Sequence, residues 1–270
     1  MARRLLRLDA ELVRRGLARS REQAAELISA GRVEVRGVVA TKAATAVDAE
    51  TAVRVSRDDA GPDYVSRGAH KLLGALARFP QIAVAGRRCL DAGASTGGFT
   101  DVLLRAGAAA VVAVDVGYGQ LAWSIRTDER VTVLDRTNVR ALQPDQIGGP
   151  VDLTVADLSF ISLTTVLPAL TACTAADGDL LPMVKPQFEV GRERLGSGGV
   201  VRDLGHRADA VADVAAAAAT LGWGMAGVCA SPLPGPAGNV EFFLWLRRSA
   251  LAPDQPVDRS AIEAAVREQA

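Results

Sequence analysis

A glycine-rich stretch, Cys89-Leu-Asp-Ala-Gly-Ala-Ser-Thr-Gly-Gly-Phe-Thr100, has residue types suited to holding a polar ligand. The pattern predicts a strand that ends near Asp91, a small-residue turn from Gly93 to Gly98, and a helix from Phe99 to Gly107. In such a turn, backbone N–H groups and the helix N-terminus can approach a nucleotide-type ligand closely. Glycine suits this position because a Cβ would block the approach or resist a positive φ. The alternative is a glycine-rich turn that holds no ligand.

The spacing of this loop, Asp91-x-Gly93-x-x-x-Gly97, differs from the dinucleotide fingerprint G-x-G-x-x-G. It resembles the D/E-x-G-x-x-x-G loop of class I S-adenosylmethionine-dependent methyltransferases. The next apolar run ends in Asp115, where an acid takes ribose hydroxyls in such folds. The resemblance implies S-adenosyl-L-methionine as the cofactor. The residues that it implies for binding are Asp91, Gly93, Ala94, Ser95, Thr96, Gly97, Gly98, Phe99, Asp115 and Asp157.

Four charged residues stand at predicted element ends or edges. Asp157 and Lys185 each end a predicted strand, Glu241 lies at the start of the final strand, and Lys71 lies at the edge of a helix's apolar side. Ligands of open α/β sheets bind outside the carboxyl ends of the strands, so these side chains are expected to converge on the glycine loop. A lysine among two acids and a second lysine could accept a proton from a substrate. The alternative is a structural ion-pair cluster.

The elements that must position these residues alternate between strand and helix patterns. This alternation predicts an α/β fold of the doubly wound, Rossmann-like type, with a seven-stranded and mostly parallel sheet. The last two strands are close in sequence and are expected to pair antiparallel. The predicted strands are 88–91, 111–115, 131–134, 151–157, 179–185, 223–230 and 240–246, and the predicted helices are 66–79, 99–107, 121–125, 163–173 and 206–221.

The N-terminal end has its own composition and its own pattern. Residues 1–42 contain ten Arg and Lys against five Asp and Glu, although the whole chain has a formal net charge of zero. An amphipathic helix over 8–15 and a second helix opened by Ser20 precede an alternating strand over 32–35. A basic end beside a mildly acidic body suggests a module that faces nucleic acid.

This N-terminal pattern resembles the S4-type RNA-binding domain, a small α+β fold. The resemblance implies that its basic side chains take RNA phosphates, which provide affinity and register rather than base identity. A solvated helix face is the alternative for any single arginine. The predicted RNA contacts are Arg4, Arg7, Arg19, Arg21 and Lys42, with Arg67 added from the following segment.

Composition changes divide the chain into four segments. The polar stretch Asp58-Asp-Ala-Gly-Pro-Asp63 marks the boundary between modules. The predicted segments are an S4-type domain over 1–59, a linker over 60–66, a methyltransferase domain over 67–248 and a tail over 249–270, in which Asp258 to Gln269 is a further helix candidate.

Several motifs together carry a specific family resemblance. Ser66-Arg-x-Ala-x-Lys71-Leu with Asp157, Lys185 and Glu241 resembles the K-D-K-E tetrad of FtsJ-like RNA 2′-O-methyltransferases. Three short motifs, together with the S4-type N-terminus, narrow this resemblance to the TlyA (haemolysin A) family. The motifs are Asp-Leu-Ser-Phe-Ile-Ser, Val-Lys-Pro-Gln-Phe-Glu and Gly-Asn-Val-Glu. One departure is Pro62-Asp63-Tyr64-Val65, which replaces a basic-and-tryptophan linker motif of the relatives.

The family resemblance implies an activity and its catalytic residues. It implies methyl transfer to ribose 2′-hydroxyls of cytidines in 16S and 23S rRNA, with ribosomal RNA or ribosomal subunits as the partner. Lys71, Asp157, Lys185 and Glu241 are the implied catalytic residues, and Lys185 is the best candidate base. A cationic neighbour, Lys71, and partial burial would both favour the neutral amine that a base must be.

The remaining composition limits other functions. Of the 270 residues 49% are hydrophobic and 4% aromatic, which predicts an aliphatic core. The two histidines and three cysteines lack metal-ligand spacing, so no metal is expected. No signal peptide or apolar span is found, which predicts a soluble, cytoplasmic protein without membrane contact. The competing hypotheses are a membrane-active haemolysin and a non-catalytic RNA-binding assembly factor. Nothing in the sequence indicates an oligomeric state.

Overall fold

The computed structural model describes residues 5–18, 20–29, 31–55, 64–235, 237–250 and 257–269, without the side chains of Glu26 and Arg192. The chain forms two compact units, Met1–Asp63 and Tyr64–Ala270. Arg4, Arg19 and the linker positions 60–63 of the sequence predictions lie outside the described residues.

The N-terminal unit packs two helices against short strands. Its buried side chains include Leu8 and Leu12 of the first helix and Ala24 and Ile28 of the second. The second helix begins after Ser20, whose Oγ accepts a hydrogen bond from the Gln23 N–H at 3.1 Å, as an N-cap does. The elements are β1 (Leu6–Arg7), α1 (Leu8–Arg14), α2 (Arg21–Ser29), β2 (Val33–Val35), β3 (Val38–Val39), β4 (Ala46–Val47) and β5 (Val53–Val55), with sheets β1-β4 and β3-β2-β5.

The second unit is built on a seven-stranded sheet with the order β11-β12-β10-β9-β6-β7-β8. Four pairings are parallel, and β12 pairs antiparallel with both β10 and β11. This confirms the predicted mostly parallel sheet. The elements are α3 (Gly68–Arg78), β6 (Arg88–Ala92), α4 (Gly98–Arg105), β7 (Ala110–Val114), α5 (Trp123–Arg126), β8 (Val131–Leu134), β9 (Val151–Ala156), α6 (Leu163–Cys173), β10 (Thr174–Val184), α7 (Pro186–Glu189), α8 (Leu204–Thr220), β11 (Gly224–Ala230), β12 (Phe242–Arg247) and α9 (Arg259–Arg267).

Helices cover both faces of this sheet. Successive strand residues point to opposite faces, so Cys89 belongs to the cluster that contains α3 and α4, whereas Leu90 belongs to the cluster that contains α6 and α8. Near-continuous apolar runs in the central strands follow from burial on both faces. Because helices cover both faces of the sheet, polar residues can come together in the loops at the carboxyl ends of the strands.

One strand differs from the sequence-based expectation, and one helix candidate is confirmed. Strand β10 begins at Thr174, directly after α6, and its pairing with β9 shifts register between Thr174 and Asp179. The predicted strand began at Asp179, because the polar residues of this bulge hide the alternating pattern. The helix candidate in the tail is present as α9, whose Ile262 and Val266 are buried in the main core.

A buried carboxylate lies in the middle of β10. Asp179 is 1% exposed and accepts a hydrogen bond from Trp245 Nε1 at 2.7 Å. Arg87 also donates to this carboxylate, and Arg247 Nε lies 3.1 Å from it. The two guanidinium groups and the indole N–H offset the cost of burying the charge.

We expect Asp179→Ala to lower the free energy of unfolding by about 3 kcal/mol, because it leaves the indole N–H and two guanidinium groups without their shared acceptor. Urea unfolding followed by tryptophan fluorescence measures this change, since Trp123, Trp223 and Trp245 all lie in the second unit. Asp177→Ala, at an exposed position of the same strand, is the control and should change little. Equal stability of both variants would contradict this role for Asp179.

Candidate active site

The glycine-rich loop joins β6 to α4 and has the positive backbone angles expected for it. Gly93, Ser95 and Gly97 have φ values of +89°, +48° and +96°. A Cβ added to Gly93 would lie 2.5 Å from the carbonyl oxygen of Asp157, and one added to Gly97 would lie 2.9 Å from Leu121 Cδ1. Gly93 is therefore needed for the close approach of two strand-end loops as well as for its backbone angle.

Asp91 is a fully buried carboxylate beneath this loop. Its Oδ2 accepts a hydrogen bond from Thr100 Oγ1 at 2.6 Å, while its buried Oδ1 has no hydrogen-bond partner among the described residues. Burial raises the pKa of Asp91 to about 7, and the charges of Asp157 and Asp115 add to the rise, while the hydrogen bond from Thr100 opposes it. An unpartnered oxygen at this depth is a ready acceptor for a ligand's donor group.

Asp115 follows β7 and borders the same loop. Its Oδ2 accepts from the Ser95 N–H at 2.8 Å and its Oδ1 from the Gly117 N–H at 2.7 Å. A carboxylate has further lone pairs, so these bonds fix its orientation and leave acceptor capacity. The glycine turn, Asp91 and Asp115 therefore fit a ligand that carries a ribose and polar groups, as S-adenosylmethionine does.

The four charged residues singled out in the sequence do meet. Lys71 Nζ lies 2.6 Å from Glu241 Oε2 and 3.9 Å from Asp157 Oδ2, and Lys185 Nζ lies 2.6 Å from Asp157 Oδ1. The exposed fractions of the side chains are 7% for Lys71, 8% for Lys185, 1% for Glu241 and 23% for Asp157. The signs alternate along this tetrad, so each buried charge contacts an opposite one.

The sheet topology explains why the tetrad assembles. β9 and β10 are parallel neighbours, and Asp157 and Lys185 are the residues that follow them. β12 runs the opposite way, and because Val184 pairs with Phe242, Glu241 lies at the same rim. The antiparallel pairing of β11 with β12 confirms the pairing predicted for the last two strands. Lys71 comes from α3, which packs on the same face as α4.

Sequence reasoning missed four residues of this rim. Ser159 Oγ accepts a hydrogen bond from Lys185 Nζ at 2.8 Å. Phe160 is 91% exposed, has a φ of +64°, and its ring centroid lies 5.3 Å from that of Phe188. Glu189 contacts the start of α6. The signal available in the sequence was that Ser159 and Phe160 follow Asp157, while Phe188 and Glu189 follow Lys185.

The N-terminal unit brings two of the predicted RNA contacts together. Arg7 Nε donates to Asp9 Oδ1 at 3.1 Å and Arg21 donates to Asp9 Oδ2 at 2.9 Å. Both arginines stay more than half exposed, whereas Asp9 is buried. The hydrogen bond from Arg7 lowers the pKa of Asp9 to about 2, against a smaller opposing effect of burial. Asp9 therefore holds two guanidinium groups side by side, a role that the sequence did not suggest.

The other two described RNA candidates have different surroundings. Lys42 is exposed and precedes Ala43, whose carbonyl accepts from the Asp9 N–H at 3.1 Å, so its backbone lies beside the arginine pair. Arg67 is exposed at the start of α3 and donates to the Pro234 carbonyl at 3.2 Å. Among the described residues, no group of three or more His, Cys, Asp and Glu side chains could hold a metal ion.

The buried Asp91 predicts a specific pH dependence of stability. Its pKa is about 7 in the folded chain against an ordinary 3.8, so the folded state binds the extra proton between these values. The contribution of Asp91 to the free energy of unfolding is therefore most favourable at low pH and decreases as the pH rises toward 7. We expect Asp91→Asn to gain stability relative to the parent chain between pH 5 and about 8, measured by urea unfolding. A stability difference that does not change with pH would contradict this.

Comparisons with known proteins agree with the geometry. The FtsJ-like methyltransferase model matches residues 64–248, and the S4 domain model matches residues 6–53. The chain is 64% identical over 266 residues to the 16S/23S rRNA (cytidine-2′-O)-methyltransferase TlyA of Mycobacterium tuberculosis, covering 98% of this chain and 97% of that protein. It is 34% identical to hemolysin A of Brachyspira hyodysenteriae, covering 88% and 98% of the two chains.

A solved structure shows the same likeness over the full length. A protein from Streptococcus thermophilus, named as a hemolysin, superposes with a TM-score of 0.76 at 37% identity, covering 99% of this chain and 96% of that one. The shared sheet, the glycine loop, the tetrad at the rim and these matches lead to one conclusion. The chain belongs to the TlyA (haemolysin A) family of FtsJ-like methyltransferases, with an S4 domain at its N-terminus.

Proposed function

We propose that this protein transfers a methyl group from S-adenosyl-L-methionine to ribose 2′-hydroxyls of cytidines in 16S and 23S rRNA. The observation that carries the proposal is the tetrad of Lys71, Asp157, Lys185 and Glu241, assembled beside the glycine loop. The similarity to the M. tuberculosis enzyme supports the choice of nucleoside and subunits. Ribosomal subunits are the partner, and the cytoplasm is the compartment in which they are found.

The methyl donor is assigned to the loop between β6 and α4 and to the acids around it. When bound, S-adenosylmethionine supplies an electrophilic sulfonium methyl group, which the ribose oxygen takes as the carbon–sulfur bond breaks. Asp91 offers its unpartnered oxygen, and Asp115 offers acceptors for ribose hydroxyls. The residues proposed to hold the donor are Asp91, Gly93, Ala94, Ser95, Thr96, Gly97, Gly98, Phe99, Asp115 and Asp157.

The ribose hydroxyl is a weak acid and must lose its proton during transfer. Lys185 Nζ is the proposed acceptor, and Asp157 and Ser159 fix its position at 2.6 and 2.8 Å. Only a neutral lysine can accept a proton. Lys71 Nζ lies 3.9 Å from the other oxygen of Asp157 and is held by Glu241 at 2.6 Å. Much of the rate enhancement would come from holding the reacting atoms in line.

An exposed aromatic side chain next to the base suggests how the target nucleotide is held. Phe160 follows Ser159, the hydrogen-bond partner of Lys185, and almost its whole side chain is accessible. RNA enzymes commonly stack an unpaired or flipped base on such a ring. Phe188 packs against it and would support the ring from the side. Phe160 is therefore proposed as the platform for the cytosine base.

The N-terminal unit is proposed to supply affinity for rRNA. Arg7 and Arg21 form a paired phosphate site on Asp9, with Lys42 nearby, and Arg67 extends the contacts in the second unit. Arg4 and Arg19 complete the proposed set from outside the described residues. Residues 1–59 are therefore proposed to bind rRNA, and residues 67–248 are proposed to catalyse methyl transfer. Residues 60–66 form the linker between them, and the tail over 249–270 belongs to neither.

The alternative functions make different demands. A membrane-active haemolysin requires a membrane-spanning or strongly amphipathic segment. Within the described ranges, no helix is both long and apolar enough to cross a membrane. A non-catalytic assembly factor requires no tetrad, and it is distinguished by whether the protein transfers label from methyl-labelled donor to rRNA.

We expect Lys185→Ala to reduce rRNA methylation by about 10²–10⁴-fold, the range for loss of a general base, with donor binding nearly unchanged. Lys185→Arg should not restore activity, because arginine keeps the charge but does not deprotonate near neutral pH. Methylation is measured with labelled donor and ribosomal subunits, and donor binding by calorimetry. Substantial activity in Lys185→Arg would show that the residue only holds charge in place and that another group is the base.

We expect Arg21→Ala and Lys42→Ala each to weaken rRNA binding and to lower the slope of log affinity against log salt by about one. Each substitution removes one phosphate contact and its released counterion. Binding is measured by filter binding at several salt concentrations. Arg267→Ala, an exposed arginine of α9, is the control and should leave the slope unchanged. An unchanged slope in both Arg21→Ala and Lys42→Ala would assign these two side chains another role.

A further inference from the structure

Two segments of the rim are joined by contacts that follow each other in chain order. The first is the loop from Asp157 to Ser162 between β9 and α6, and the second is Lys185 with the short helix α7 (Pro186–Glu189) that follows β10. Asp157 contacts Lys185 at 2.6 Å, Ser159 contacts Lys185 at 2.8 Å, and the ring of Phe160 contacts that of Phe188. Glu189 makes the last contacts of the series.

Glu189 binds the end of the first loop with both carboxylate oxygens. Its Oε1 accepts from the Leu163 N–H at 2.8 Å and its Oε2 accepts from Ser162 Oγ at 2.6 Å. Leu163 is the first residue of α6, so the carboxylate also lies at the positive end of an 11-residue helix. Burial raises the pKa of Glu189, while these two hydrogen bonds oppose the rise.

We propose that Glu189 is a positioning residue for methyl transfer: it holds the loop of Asp157 and Phe160 against Lys185 and α7. This inference rests on the proposed function and deepens it. Asp157 is tied to the sheet at one end, since its N–H donates to the Ala92 carbonyl at 3.0 Å. Glu189 ties the other end, at Ser162, so the residues between them are held from both sides.

Phe160 shows why the second tie is needed. Its φ of +64° is a conformation that a residue with a Cβ adopts at a cost, and it persists where the surroundings over-determine it. The ring is almost fully exposed, so core packing does not hold it. The residues on either side must hold it instead. Ser159 Oγ accepts a hydrogen bond from Lys185, and Ser162 Oγ donates one to Glu189.

A simple helix cap is the competing role for Glu189. Ser162 already caps α6, because its Oγ accepts from the Thr164 N–H at 3.2 Å. Capping alone would affect stability and leave the chemical step of the folded enzyme intact. Direct proton transfer by Glu189 is a second competitor, and it would require an ionisable side chain at this position.

The test compares Glu189→Gln with Glu189→Ala in the full chain. Glutamine keeps an acceptor for the Leu163 N–H and a donor for Ser162 Oγ, so positioning survives without the charge. We expect Glu189→Gln to keep kcat within about threefold of the parent, and Glu189→Ala to lose about 10²-fold, the cost of a small misplacement of reacting groups. KM for ribosomal subunits should stay within about twofold in both, since the proposed affinity for rRNA comes from the N-terminal unit.

The control is Asp258→Ala, which removes a carboxylate that caps α9 through the Ala261 N–H at 3.1 Å. That helix contains none of the proposed site residues, so kcat should not change. Equal loss in the Gln and Ala variants would assign Glu189 to chemistry and overturn the proposal. A kcat in Glu189→Ala equal to that of the parent, with or without lower thermal stability, would mean that Glu189 is only a helix cap. That result would also overturn the proposal.

Hydrogen exchange separates this inference from the proposed function. In the parent chain, we expect the Leu163 amide and the loop amides 158–162 to exchange more slowly than in Glu189→Ala, with Glu189→Gln close to the parent. If the parent protein transfers no methyl group to any rRNA, the proposed function fails while the exchange pattern still reports the lock. Identical exchange in all three proteins would overturn the lock itself.

Discussion

One carboxylate, Asp157, lies between two buried ammonium groups, and the arrangement of the rim depends on it. Lys185 contacts one of its oxygens at 2.6 Å and Lys71 lies 3.9 Å from the other. Two lysines with side chains less than a tenth exposed would repel each other and lose hydration. Asp157 and Glu241 offset that cost, and the alternation of signs makes a cluster that is neutral as a whole. The position of the proposed base is thus set by charge balance as much as by the backbone.

The backbone must allow this carboxylate to lie beside the glycine loop. The Asp157 N–H donates to the Ala92 carbonyl, and the Asp157 carbonyl oxygen lies where a side chain at Gly93 would be. The missing Cβ of Gly93 therefore brings the proposed donor loop against the proposed catalytic loop. Helices cover both faces of the sheet, and the reversed strand β12 adds Glu241 to this rim.

The N-terminal unit uses a buried carboxylate in a similar way for a different purpose. Asp9 accepts from Arg7 with both carboxylate oxygens and from Arg21 with Oδ2, and both arginine side chains stay more than half exposed. A second buried acid, Glu11, binds Arg14 and Arg15. Such pairing reduces the freedom of long side chains before any RNA arrives, so less conformational entropy is lost on binding. In both units, a buried acid therefore fixes the position of basic side chains that have a proposed functional role.

The sequence by itself determined the order of the elements and the four residues of the tetrad. Strand periodicity, glycine turns and strand-end charges are local signals, so the strands ending near Asp91, Asp157 and Lys185 and the antiparallel last pair could be predicted. Only the tertiary structure decided which charges pair. Lys71 bonds to Glu241, 170 residues away, and Lys185 bonds to Asp157 and Ser159.

The tertiary structure alone also revealed the unpartnered Oδ1 of Asp91, the arginine pair on Asp9, the contacts of Glu189 and the bulge at the start of β10. The physical reason is one of scale. A residue type and its spacing predict an element and the edge of the sheet that it reaches. A hydrogen bond depends on a few tenths of an ångström, which strand register, loop path and side-chain rotamers set together.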